Sequence, residues 1–95
     1  DWQDARIISA HSSDPEVSAA DLRPAGKIAV LGGREGSLRW AAGLIPELGK
    51  GRRVFLCEDL TLPDEKFREV RADELIRIPV SSRAIILIIQ GELLE

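Results

Sequence analysis

"KIAVLGGREGSLRWAAGL", residues 27–44, sets a short apolar run against a glycine-rich turn and then an amphipathic stretch. Lys27–Leu31 has the β-branched, uninterrupted character of a buried strand. Leu38, Ala41, Ala42 and Ile45 recur at helical spacing, with Gly36 or Ser37 as the start. Pro46 cannot extend that helix, because its ring would meet the Ala42 carbonyl. The stretch therefore predicts a strand–turn–helix unit. "GGREG" is read as its turn. A dinucleotide fingerprint needs a glycine where Arg34 stands, and a P-loop needs a lysine after Gly36. A helix start after glycines can hold an anion, which Arg34 would favour and Glu35 would oppose.

On either side the same alternation continues. "ARIISA" (5–10) and "RRVFLC" (52–57) read as strands, and "IRIPV" (76–80) as a short fourth. Between the first two strands, "HSSDPEVSAADLRPAG" offers Ser and Asp caps, Pro15 near a helix start and a Pro24–Gly26 stop. "TLPDEKFREVRADEL" has the signals of a helix: Thr61 as cap, Pro63 in the first turn, Asp64 and Glu65 at the positive end. The tail, "SSRAIILIIQGELLE", is open between a buried isoleucine-rich strand and a helix capped by Ser81 or Ser82. Strands alternating with helices predict βαβ units, and with them a small three-layer α/β/α-like domain with a mainly parallel sheet of about four strands.

Composition narrows the function. The 95 residues, 44% apolar and 31% charged, fit one globular domain spanning 1–95. A net charge of −3 argues against direct nucleic-acid contact, which needs a basic face. No apolar run approaches the roughly 18 residues of a membrane span, so no membrane partner is expected. A single cysteine, Cys57, excludes an internal disulfide and suits a cytoplasmic location. The chain has no methionine and opens on Asp1, which is expected of a piece of a longer protein.

In a parallel sheet, ligands sit at the carboxyl ends of the strands. Those ends carry Ser9–His11, Gly32–Gly36, Glu58–Asp59 and Val80–Ser82, so the candidate ligand-binding set is Ser9, His11, Gly32, Gly33, Arg34, Glu58 and Ser81. His11, the only histidine, lacks a second ligand for a metal and has only Asp14 as a local orienting acid. Cys57 lies beside Glu58 and Asp59, which oppose thiolate formation, so it is read as a core residue. Glu58 and Asp59, adjacent on a strand, point to opposite faces and do not form a dyad. Trp40 is read as a packing residue rather than a stacking platform. No catalytic constellation, metal site or cofactor motif emerges, and the expectation is a domain that is not an enzyme.

Element order and Pro/Gly anchors add a resemblance. "ARIISAHSSDPEVSAADLRPAGKIAVLGG" resembles the N-terminal domain of PucR-type transcriptional regulators. "LRPAGKIAVLGG" (22–33) matches that family's "LRPGELVLTTG"-like segment with Ala25 as one extra residue. "RRVFLCEDLTLPDEKF" and "ELIRIPVSSRAIILIIQGELLE" are similar to its later strands and final helix. The layout is also similar to DRTGG domains and to the HPr-kinase N-terminal domain. The resemblance implies a non-catalytic, ligand-sensing domain of a cytoplasmic regulator. A small metabolite would shift its conformational populations, and the tail would be a helix burying its second face in a homodimer. Alternatives are a dimerisation or docking module attached to an enzyme, and a small phosphate- or nucleotide-binding protein.

Overall fold

A computed structural model of the chain describes residues 5–10, 14–33, 35–58, 66–78 and 84–91. Five strands form one mixed sheet in the order β1-β2-β5-β3-β4. They are β1 (Ala5–Ser9), β2 (Lys27–Leu31), β3 (Arg52–Glu58), β4 (Lys66–Val70) and β5 (Ala84–Gln90). Only β1 and β2 pair in parallel; β5 lies antiparallel between β2 and β3, and β4 antiparallel to β3 at the edge.

The tail is thus a strand, and the central one. Ala84–Gln90 reads AIILIIQ, and β-branched side chains that crowd a helix pack well on a pleated surface. The isoleucines, not the regulator-like layout, told the truth here. A second departure is β4. The helix expected over 61–75 is replaced by a strand at 66–70 and a single turn, α3 (Ala72–Leu75). Its start signals at 61–65 lie outside the described residues. Pairing with β3 from Val54↔Val70 to Glu58↔Lys66 overrides the local preference, and an edge strand tolerates the charges of "KFREV". The strand expected at 76–80 is a turn through Ile76–Ile78, with Ile76 exposed, and its last two residues are outside the described set.

β1, β2, β3 and α2 stand close to where the sequence places them. α2 (Glu35–Leu44) passes at Pro46 into a 3-10 turn, Ile45–Leu48, and Gly49 and Gly51 take positive φ (101° and 86°) where the chain turns into β3. Among the described residues after β1 there is one helical turn, α1 (Ala19–Leu22), which begins beyond the start expected near Pro15. Its cap is Ser18, whose Oγ accepts the Asp21 N–H while Asp21 Oδ2 accepts the Ser18 N–H.

Strand parity explains where the core sits. Ile8, Ile28, Val30, Val54, Leu56, Val70, Ala84, Ile86 and Ile88 all project to one face, where they pack with Leu22, Leu38, Leu44, Leu48 and Leu75 of the helical layer. Topology forces this arrangement. β1→β2→β3 advance in one direction and β4→β5 return with reversed polarity, so right-handed crossovers place α1, α2 and α3 on the same side. The fold is therefore an α/β domain with a five-stranded mixed sheet whose described helices all lie on one side, not one with four mainly parallel strands. Cys57 is buried as expected, but it points to the opposite face, as do Ala29 and Ile89; none of the three belongs to the main core.

That opposite face is apolar. One row across it runs Ile7, Ala29, Leu87, Phe55, Glu69, and the next runs Ser9, Leu31, Ile85, Cys57, Phe67. Ile7 is 70% and Phe67 59% exposed. Phe55 and Phe67 stack with centroids 5.5 Å apart, and the Arg53 guanidinium lies 5.4 Å from the Phe55 centroid.

Arg53 also makes a two-pronged pair with Glu69, Nε to Oε2 at 2.8 Å and Nη2 to Oε1 at 2.7 Å. These hydrogen bonds hold the Glu69 carboxyl below its ordinary range; slight desolvation opposes the shift and the Arg53 charge reinforces it. A depressed carboxyl stabilises the fold above the unfolded glutamate pKa and loses that contribution as pH falls through the folded value. Carbon NMR titration should find the Glu69 midpoint below that of an ordinary glutamate, and Arg53→Ala should raise it. An unchanged midpoint in the variant would remove the pair as its cause.

Candidate ligand edge

Because β1, β2 and β3 point the same way, their carboxyl ends meet one edge of the sheet, where β5 also begins. Register places Gly32 beside Ala84, and Ala84 opposite Glu58. The Gly32 N–H donates to the Ala84 carbonyl at 2.9 Å, and the Ala10 N–H to the Leu31 carbonyl at 2.8 Å. Gly33 N–H donates to Ser37 Oγ at 3.2 Å. Ser37, in the first turn of α2, has no exposed surface.

These contacts define what the glycine turn does. A Cβ on Gly32 would stand 2.7 Å from Ser37 Oγ and 3.2 Å from Ser37 Cβ. Glycine lets β2 run directly under the start of α2. The amides of Gly32 and Gly33 are occupied inside the protein, so neither is aimed at a phosphate.

Of the residues expected to bind a ligand, Ser9, Gly32, Gly33 and Glu58 share this edge. They do not share a face. Ser9 follows the odd-numbered residues of β1 onto the side away from the described helices, whereas Glu58 follows Val54 and Leu56 towards them. β2 and β5 separate their strands, which sets them about 14 Å apart at the usual strand spacing. His11, Arg34 and Ser81 lie outside the described residues.

Two clefts that the sequence reading did not single out flank α2. One, about 470 Å³, is lined by Val17, Ser18, Trp40, Leu44 and Glu47; the other, about 520 Å³, by Ala42, Pro46, Ala72, Asp73 and Ile76. Gly43 borders both, and nothing lies within 4 Å of where its Cβ would be. The glycine inside an otherwise helical pattern was the legible signal. Trp40 packs partly buried against the core, as its helical position suggested. Among the described residues no group of three potential metal ligands occurs, and no helix is long and apolar enough to cross a membrane.

The same architecture occurs in solved methyltransferases. Uroporphyrin-III C-methyltransferase from Thermus thermophilus matches over 95% of this chain and 41% of its own, at 20% identity and a TM-score of 0.63. A structure of that enzyme complexed with S-adenyl homocysteine matches at 19% identity and TM-score 0.63, over 96% of this chain and 43% of its own. The cobalamin-biosynthesis precorrin-6Y methylase from Archaeoglobus fulgidus matches at 20% identity and TM-score 0.59, over 95% and 39%. The chain thus spans about two-fifths of the length of these structures. No protein-family model matches the chain. No curated protein does either.

These likenesses overturn the regulator reading. The fold is shared with methyltransferases rather than with PucR-type, DRTGG or HPr-kinase N-terminal domains. With that resemblance falls the ligand-sensing regulator it implied, and the likenesses to methyltransferases also run against the expectation of a non-enzyme and against the two alternatives, a docking module attached to an enzyme and a small phosphate- or nucleotide-binding protein. Short Pro and Gly anchors such as Leu22–Gly26 mark turns, and turns recur in unrelated folds.

Proposed function

We propose that this chain is one domain of a longer S-adenosylmethionine-dependent methyltransferase acting on a cyclic tetrapyrrole. The observation that carries the reading is the agreement of 90–96% of the chain with several such structures, all named as methyltransferases or methylases. Uroporphyrin and precorrins are cyclic tetrapyrroles, and S-adenosylhomocysteine is what remains of the donor after methyl transfer.

The described edge does not make a complete donor site by itself. It offers one half-buried carboxylate, Glu58, suited to accept hydrogen bonds from a ribose diol. The amides of Ala10, Gly32 and Gly33 are all engaged within the fold and cannot read an adenine or a carboxylate. Glu58 is therefore the residue of this edge offered to a donor site that the remainder of the enzyme completes, and Ser9, on the opposite face, lies outside it.

The test is methyl transfer by the longer polypeptide carrying this domain. Labelled methyl from S-adenosylmethionine should appear in a uroporphyrin- or precorrin-type acceptor, and Glu58→Ala should raise the KM for the donor. A folded polypeptide that transfers no label to any such acceptor, and binds neither S-adenosylhomocysteine nor uroporphyrin III, would sink the reading.

A further inference from the structure

Ser37 is the only buried polar side chain among the described residues. Alanine would fill nearly the same space without taking a hydroxyl out of water, so packing alone does not account for it. Its Oγ accepts the Gly33 N–H at 3.2 Å, and the adjoining Gly32 N–H donates to the Ala84 carbonyl at 2.9 Å. Ala84 is the first residue of β5 and stands opposite Glu58. We propose, resting on the donor reading of this edge, that Ser37 is a positioning residue for Glu58. Through the Gly32–Gly33 turn it fixes the start of β5, and so the place from which the Glu58 carboxylate reaches the donor.

The link is short and lies inside the protein. Gly32, Ala84 and Glu58 form one row across β2, β5 and β3 on the helix-covered face. The first two carry nothing larger than a methyl, so backbone placement rather than a bulky neighbour sets where the carboxylate lies. Ala84 is 2% exposed and Ser37 has no exposed surface, whereas Glu58 is half-buried. A buried tie thus holds a group that reaches the edge. Two glycines in succession have no Cβ to restrict the turn. One side-chain hydrogen bond from α2, strengthened by its low-dielectric surroundings, selects a single conformation. The turn is pressed closely to the serine: a Cβ on Gly32 would stand 2.7 Å from Ser37 Oγ.

Calorimetric binding of S-adenosylhomocysteine to the longer polypeptide carrying this domain tests the assignment. Ser37→Ala should raise the dissociation constant roughly two- to tenfold, the contribution of one neutral hydrogen bond. Once Glu58→Ala is present, it should have almost no further effect, because the two residues act as one unit. Ile88→Val, further along β5 and equally buried, should loosen the core and leave the affinity unchanged. An unchanged affinity in Ser37→Ala overturns the proposal and leaves the donor reading intact. So does the same loss with and without Glu58, or an equal loss in Ile88→Val. A wild-type polypeptide that does not bind S-adenosylhomocysteine removes the donor reading instead. Carbon NMR then still decides the role of Ser37. The Glu58 carboxyl resonance should shift in Ser37→Ala, and an unchanged resonance in the folded variant overturns the proposal as well.

Discussion

Replacing Ile86 with alanine should lower the unfolding free energy by about 2–5 kcal/mol, the range for truncating a buried isoleucine. Ile86 sits in β5 opposite Val30 and Leu56, on the helix-covered face, with no exposed surface. Removing its outer atoms leaves a void that two flanking strands and the helical layer cannot close. A domain of this size has only about 5–10 kcal/mol in hand, so the variant will be marginal. Ile85→Ala, one residue away on the opposite face and itself only partly buried, should cost distinctly less. Urea denaturation with an unchanged m-value is the measurement. Equal losses at the two positions would mean that the two faces are equally covered, contrary to the placement of the described helices on one side.

Gly32→Ala is the second large effect expected, a loss of about 1–3 kcal/mol from overpacking. The new methyl would meet Ser37 Oγ at 2.7 Å. Ser37 cannot swing aside easily, because it is fully buried and its Oγ accepts the Gly33 N–H. Ser37→Ala alone should also destabilise, by leaving Gly33 N–H without that acceptor. The double variant should cost less than the sum of the two, since deleting Oγ removes the clash. Groups in direct contact typically couple by about 0.5–3 kcal/mol. Strict additivity in a double-mutant cycle would show that the glycine is not there to admit the serine.

Much of the fold was legible, and the reasons are local. β1, β2 and β3 are short runs rich in branched residues that stop at polar or glycine positions, and α2 has an apolar stripe closed by Pro46. β4 was not legible. "KFREV" carries three charges, and only Val70 of the last four residues is buried, so nothing in the segment outweighs the helix signals just before it. What makes it a strand is the free edge of β3, a partner that a linear reading does not see. The tail is the reverse case, since its isoleucines favoured a strand while the regulator-like layout favoured a helix.

The candidate edge was legible only as far as strand direction. Residues at the carboxyl ends of β1, β2 and β3 do collect on one edge. That Ser9 and Glu58 occupy opposite faces follows from the insertion of β5, which no spacing in the sequence announces. The occupied amides of Gly32 and Gly33 were hidden for a related reason. Their partners, Ala84 and Ser37, are fixed by tertiary pairing.

The central place of β5 has a consequence for how the protein is made. β2 and β3 are not paired with each other; each bonds to β5, residues 84–90. While the ribosome is still holding that segment, the nascent chain can form the β1–β2 pair and the β3–β4 pair, but each leaves one apolar strand edge unsatisfied. Such edges invite pairing with other chains. Sheet closure thus waits for the last strand, and contacts of long sequence separation make that step slow. In a cell, this interval is when the chain would need a chaperone, and a pause in translation just before Ala84 would lengthen it.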